Sequence, residues 1–188
     1  MEDCIPTFDC PENRFLVLGL NHTTAPVEVR ERLYVSEEEI PELLAELRSH
    51  GIPEAVVLST CNRTEFYVTG TEPEGTVATL ISRVSSHFKV DEEWFRKFIY
   101  VFAEEEGYRH LFMVASGLDS MVVGEPEILG QLKEAYRKAS RAGSAGPFFE
   151  RAFSRAFQTA KRVRTETRIG YNPVSISSMA VEMARKIF

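Results

Sequence analysis

Cys61 opens a polar turn, Cys61-Asn62-Arg63-Thr64-Glu65, directly behind the apolar run Ala55 to Thr60. A thiol at the rim of a sheet, two residues before an arginine, has the partly exposed, electropositive setting that favours a thiolate nucleophile. The plainer alternative is a small buried core cysteine, with Arg63 paired to Glu65. A second concentration of chemistry is Asp119-Ser120-Met121-Val122-Val123-Gly124-Glu125-Pro126-Glu127, which gathers hydroxyl, carboxylate and glycine into one connector. Such a loop could hold a polar ligand, with Gly124 permitting close backbone approach and the next helix offering free N–H groups. Equally, Glu125 and Glu127 could only be favourable charges at a helix N-terminus. Gln131 lies one turn further on, where it could reach a site or face water. His110 falls off the apolar face of its helix; it is either a packed or solvated side chain or the proton carrier of a site.

Other chemistries find no support. His22, His50 and His87 have no partners at ligand spacing, and Cys4, Cys10 and Cys61 contain no Cys-x-x-Cys pair, so neither a metal site nor a disulfide scaffold is indicated. None of the eleven glycines forms Gly-x-Gly-x-x-Gly, and no phosphate-binding loop is present. A nucleotide-binding domain is not expected within these residues.

The elements that must position these residues follow from hydrophobic periodicity. Arg14 to Asn21 reads as a buried strand. Ser36 with Glu39 forms a capping box ahead of Ile40, Leu43, Leu44 and Leu47, which predicts a helix from about Ser36 to His50, stopped by Gly51 and Pro53. Two strands, Ala55 to Thr60 and Glu65 to Thr71, flank the cysteine turn. A helix from about Gly75 to Phe88 and a strand from Phe98 to Ala103 complete the order β-α-β-β-α-β. That order predicts an α+β fold of ferredoxin-like, split βαβ type: an antiparallel four-stranded sheet with helices on one face, its edges and turns free for a site.

From Glu104 onward the pattern is helical. Three apolar stripes (Tyr108 to Leu118, Ile128 to Ala139, Phe149 to Ala160) are separated by Gly117 and by the Ser140 to Pro147 stretch, which predicts a small helical subdomain. A fourth stripe, from Ile176 to Ile187, runs to Phe188 without a stop signal, the pattern of a piece of something longer. The expected organisation is an extension over 1–13, a catalytic unit over 14–165 (sheet part 14–103, helical part 104–165), and the start of a linking helix over 166–188.

Composition narrows the class of protein. With 188 residues, 44% hydrophobic and 27% charged, the chain is globular rather than disordered. No run approaches a membrane span, the first residues show neither the basic stretch nor the apolar core of a signal peptide, and the cysteine usage suits a reducing cytoplasm. The net charge of −6 is unevenly spread: 10 basic against 24 acidic residues up to Leu132, then 10 basic against 3 acidic from Lys133 to Arg168. Arg151, Arg155 and Arg162 recur at helical spacing there, a ridge able to track phosphates or an ordinary solvated face.

Three separated blocks resemble the N-terminal, catalytic part of the glutamyl-tRNA reductase family. They are Gly19-Leu20-Asn21-His22-Thr23-Thr24-Ala25-Pro26, then Ser59-Thr60-Cys61-Asn62-Arg63-Thr64-Glu65, then Val114-Ala115-Ser116-Gly117-Leu118-Asp119-Ser120-Met121-Val122-Val123-Gly124-Glu125-Pro126-Glu127-Ile128-Leu129-Gly130-Gln131. The similarity runs from about Phe15 to Phe188.

The resemblance implies NADPH-dependent reduction of glutamyl-tRNA(Glu) to glutamate-1-semialdehyde in tetrapyrrole biosynthesis, through a cysteine thioester. By motif position Cys61 resembles the nucleophile and His110 the histidine important for activity. Thr60, Asn62, Arg63, Ser120, Glu125, Pro126, Glu127 and Gln131 resemble the residues that hold the glutamyl group. A thioester accepts hydride more readily than an oxygen ester, and a guanidinium such as Arg63 would grip the glutamate carboxylate with two donors. NADPH and the homodimer contact are expected in domains beyond Phe188, so this chain is expected to form or hydrolyse the thioester only. Hand-over of product to glutamate-1-semialdehyde aminomutase and the absence of a membrane partner belong to the same expectation. Two other classes remain open: a non-catalytic tRNA-binding or regulatory fragment, and a thiol-dependent hydrolase of small esters.

Overall fold

The structure, a computed structural model, describes residues 13–167 together with 169, 184 and 185. The expected N-terminal extension, apart from Asn13, and the fourth apolar stripe, apart from Ala184, lie outside the described residues. Strand β1 (Arg14–Asn21) leads through the short helix α1 (Val27–Arg32) to α2 (Ile40–Ser49). Strands β2 (Ala55–Ser59) and β3 (Arg63–Gly70) are joined by the turn that carries Cys61. Helices α3 (Pro73–Phe88) and α4 (Glu92–Arg96) precede β4 (Tyr100–Ala103), and α5 (Glu104–Ser116), α6 (Glu127–Arg141) and α7 (Pro147–Thr167) follow.

The four strands form one antiparallel sheet in the order β2-β3-β1-β4, as the β-α-β-β-α-β pattern predicts. Register assigns the faces. Val17 pairs with Tyr67 and with Phe102, while Gly19 pairs with Glu65 and with Tyr100, so these residues share one face. Leu16, Leu18, Leu20, Phe66 and Val68 point the other way, against α2 and α3.

One expectation is corrected here: the helices do not cover a single face. Every residue of β3, and all of β1 after Arg14, is buried, which a half-exposed sheet cannot show. The second face is covered by α5, α6 and α7, the helices of the expected helical subdomain. Their aromatic side chains do the covering: Tyr67 meets Phe153 edge-on at 5.6 Å, and Phe15 stacks on Tyr108 at 4.6 Å. A buried carboxylate fixes this layer. Glu54, just ahead of β2, accepts hydrogen bonds from the N–H groups of Gly146 (2.9 Å), Phe148 (3.3 Å) and Phe149 (2.9 Å), so a residue beside the sheet caps the N-terminus of α7.

Smaller departures have local causes. The capping pair forms in half: Ser36 N–H donates to Glu39 Oε2 at 2.8 Å, closing a turn, and α2 begins at Ile40 with Pro41 in its first turn. Helix α4, unforeseen, fits into the stretch before β4 because the Asp91 carboxylate caps it by accepting from Trp94 N–H at 2.9 Å, and β4 therefore starts at Tyr100 rather than Phe98. Helix α1 is too short for periodicity to reveal.

Candidate active site

The turn between β2 and β3 is shaped by Thr60. Its Oγ1 accepts from the N–H groups of Asn62 and Arg63, both at 3.2 Å, while its own N–H donates to the Arg63 carbonyl at 2.8 Å. This closed turn holds Cys61 outward, and the thiol is exposed. A buried core cysteine is thereby excluded. Arg30 of α1 braces the turn from outside, donating to the Cys61 carbonyl at 3.2 Å and to the Ala25 carbonyl at 2.8 Å.

Arg63, at the start of β3, points the other way from solvent and is only 1% exposed. Its Nη1 donates to Glu65 Oε1 at 2.8 Å and to Asp119 Oδ2 at 3.0 Å, and Nη2 donates to the Asp119 carbonyl at 2.5 Å. The pairing with Glu65 foreseen in the plainer reading is therefore real, alongside an exposed rather than buried Cys61. Nε–H takes no partner among the described residues, so one edge of the guanidinium stays available. Asn21, opposite Arg63 in the β1–β3 register, donates from Nδ2 to Asp119 Oδ2 at 3.2 Å and so helps to anchor that carboxylate.

Glu65 is the hub. Fully buried, it accepts from Arg63, from the Tyr100 hydroxyl at 2.5 Å and from the Tyr67 hydroxyl, and its Oε1 lies 2.9 Å from His110 Nε2. Burial works against its charge, but the guanidinium and the bonds from His110 and Tyr100 outweigh burial and lower its pKa to about 2. Because the carboxylate is ionised, His110 Nε2 carries the proton and donates. Burial raises the pKa of Tyr67 and Tyr100, and the adjacent Glu65 charge raises it further, so both phenols remain donors. Gly19 makes room for this arrangement, since a Cβ there would lie 2.7 Å from Glu65 Cγ.

Two cavities meet at Cys61. A small one, about 80 Å³, is lined by Thr60, Cys61, Asn62 and Arg63 from the turn, by Ser120, Met121 and Glu125 from the loop after α5, and by Glu127, Ile128 and Gln131 from α6. Ser120 Oγ, buried, is without a hydrogen-bond partner among the described residues. A wider groove of about 760 Å³ shares Thr60, Cys61, Asn62 and Gln131, and extends between α1, with Val27 and Arg30, and α6, with Glu134 and Lys138. Tyr34 lines its flank and is 44% exposed.

Eight of the ten residues singled out in the sequence thus line one small pocket. The exceptions are Pro126, which precedes the first turn of α6, and His110, which lies behind Arg63 and touches Glu65 rather than the cavity. Sequence reasoning passed over Asp119 and Glu65 as working parts, and missed Asn21, His22, Tyr67 and Tyr100. The signal for Glu65 was available: a carboxylate two residues from Arg63 in a strand shares its face. His22 is a different case. Burial, assisted by Arg63 and Arg30, lowers its pKa, which keeps it neutral at pH 7, and Nδ1 is buried without a partner among the described residues.

Glu65, His110 and Asp119 also bring ligand-type atoms within 4.8 Å of one another. Arg63 Nη1 already bonds two of them, so the cationic place in that cluster is taken by the guanidinium. For NADPH the described residues do not fit: the sheet is wholly antiparallel and no glycine-rich turn joins a strand to a helix. No described helix is long and apolar enough to cross a membrane.

An exposed cysteine on a sheet-rim turn, set between a polar pocket and an open groove, makes this a ligand-binding site with an accessible thiol on a ferredoxin-like sheet. The chain belongs to the glutamyl-tRNA reductase family: the family model described as Glutamyl-tRNAGlu reductase, N-terminal domain, matches residues 18–167. The glutamyl-tRNA reductase of Syntrophotalea carbinolica is 49% identical over 175 residues, covering 93% of this chain and 40% of that protein. The one from Halorhodospira halophila is 48% identical over 174 residues, 91% of this chain and 38% of that protein. Among solved structures, glutamyl-tRNA reductase from Methanopyrus kandleri superposes with a TM-score of 0.71 at 36% identity, over 92% of this chain and 39% of that one. The chain therefore spans about two fifths of the length of these relatives.

Proposed function

We propose that this chain carries out the acyl-transfer half of glutamyl-tRNA reduction. Cys61 Sγ attacks the ester carbon of glutamyl-tRNA, the bond to the ribose oxygen breaks, that oxygen takes up a proton, and a glutamyl thioester remains on Cys61. The observation that supports this reading best is the placement of one exposed thiol where two unequal cavities meet. The small pocket, with Arg63, Ser120 and Gln131, suits a short polar acyl group. The open groove on the other side of the thiol has room for the departing nucleoside end.

Within the pocket, the free edge of Arg63 binds the side-chain carboxylate of the glutamyl group, and the unpartnered Ser120 hydroxyl completes its hydrogen bonding. Glu65 and Asp119 hold the guanidinium in position. His110 is a positioning residue that acts through Glu65. Thr60 keeps the turn closed, so that Cys61 is presented at the junction, with Asn62 beside it. Glu125, Glu127 and Gln131 form the far wall, and Pro126 sets the start of α6 between the two glutamates.

Reduction of the thioester to glutamate-1-semialdehyde with NADPH, for tetrapyrrole synthesis, belongs to the whole protein on this reading, and no step of it is assigned to the residues described. Homodimer formation, cytoplasmic location and delivery of the aldehyde to an aminomutase are further parts of the same proposal.

The test is to incubate the chain with glutamyl-tRNA, quench in acid and measure intact mass, with Cys61→Ser alongside. A glutamyl adduct on the wild type alone is expected. Equal adducts on both, or equal release of glutamate by both, would remove Cys61 from the chemistry.

A further inference from the structure

The loop between α5 and α6 supplies Ser120, Met121 and Glu125 to the small pocket, yet few contacts within the loop hold it. Gly124 N–H bonds the Gly117 carbonyl at 2.8 Å, and Glu125 N–H bonds the Val122 carbonyl at 3.1 Å. Met121 and Val123 are 53% and 58% exposed, so the loop is not fixed by burying its own apolar side chains. Its near end is fastened to the sheet, because Asp119 bonds Arg63 and Asn21. Its far end is fastened elsewhere.

That second anchor is the C-terminal end of α7. Arg164 reaches from α7 and donates from Nη2 to the Glu125 carbonyl at 2.6 Å. Next to this bond, Gly124 adopts φ +84° and lies so close to the chain after α7 that a Cβ would stand 2.3 Å from the Ile169 carbonyl oxygen. Glycine satisfies both requirements, a left-handed backbone and a close approach. One pocket wall is therefore clamped between two arginines: Arg63 on the sheet at one end, Arg164 on α7 at the other.

We infer that Arg164 is a positioning residue that ties the acyl pocket to the exit of α7, so that the placement of α7's C-terminal end sets the geometry of the Ser120–Glu125 wall. The inference rests on the reading of that pocket as the glutamyl site. Its physical basis is independent of that reading: a charge-assisted bond to a backbone carbonyl, closing a loop with few other constraints.

The experiment uses this chain as wild type, Arg164→Ala, Arg164→Lys and Cys61→Ser. Amide hydrogen exchange is followed over 117–126 without substrate, and single-turnover transfer from glutamyl-tRNA is followed by acid-quenched mass across a range of tRNA concentrations. In Arg164→Ala the loop amides should exchange about tenfold faster while β1 and β3 amides stay protected. The limiting acyl-transfer rate should fall by a similar factor with half-saturation little changed. Arg164→Lys, which retains a charged donor, should recover most of both losses; it also serves if the alanine variant folds poorly. Unchanged loop exchange in Arg164→Ala overturns the anchor. Faster exchange with an unchanged transfer rate overturns the link to the pocket. An adduct persisting in Cys61→Ser would overturn the acyl-transfer reading alone, leaving the exchange result to decide the anchor.

Discussion

Glu65 and His110, 45 positions apart in sequence, meet at 2.9 Å inside the protein, and the same carboxylate oxygen also takes Arg63 Nη1 at 2.8 Å. The imidazole thus stands behind the guanidinium rather than beside the thiol. On the proposed reading, a histidine placed there acts on Cys61 chemistry by holding Glu65, and through it Arg63, in one orientation. His110→Asn, which keeps an amide donor, should lower single-turnover transfer about tenfold without moving the pH–rate profile. A displaced acid limb would put His110 on the proton path instead.

The buried ion pair makes stability depend on pH. Glu65 stays ionised down to about pH 2 in the folded chain, whereas an unperturbed carboxyl takes up its proton near 4.5. Its contribution is fully present above about pH 4.5 and is lost as the pH falls toward 2. Urea unfolding at a series of pH values should show wild-type stability declining more steeply across that window than Glu65→Gln. At neutral pH the variant should be less stable by about 3 kcal/mol, because Arg63 loses the carboxylate its buried charge depends on. Parallel acid slopes would show that Glu65 is not the group responsible.

Arg63→Lys retains the charge and loses the fork. One ammonium cannot bond Glu65, both acceptors of Asp119 and a ligand at once. Transfer from glutamyl-tRNA should fall by about 100-fold, and discrimination against the glutaminyl ester should weaken. Competition between glutamyl- and glutaminyl-tRNA, read as adduct mass, checks this; intact discrimination in the lysine variant would assign carboxylate recognition elsewhere.

Glu54 offers a control that separates architecture from chemistry. It lines neither cavity, but it caps α7 through three N–H groups. Glu54→Gln turns an amide N–H₂ toward those donors and should remove about 2 kcal/mol, lowering the melting temperature by about 4–8 °C. Acyl transfer at 20 °C should stay within about twofold of wild type. A large loss of rate at full folding would show that the α7 layer reports on the site more directly than its cap.

The sequence determined a good deal of this. Apolar periodicity placed the four strands and most of the helices, because an element that buries one face must repeat with the period of its backbone. The order of those elements was enough to specify the sheet, since a split βαβ has one favoured way to pair its strands. Cys61, Arg63 and the Asp119–Glu127 loop stood out because their residue types are uncommon neighbours for an apolar run and a helix junction. What sequence left open was which of these side chains touch. Arg63 and Asp119 are 56 positions apart, and nothing local in either segment encodes their bond. The same holds for the second helical layer. Its stripes read equally as a separate bundle or as the cover of a sheet, and only the packing of Phe15 and Tyr67 against Tyr108 and Phe153 decides between them. Periodicity reports that a face is buried, because that depends on the chain's own repeat; it is silent on what buries it, because that depends on the path of the chain in three dimensions.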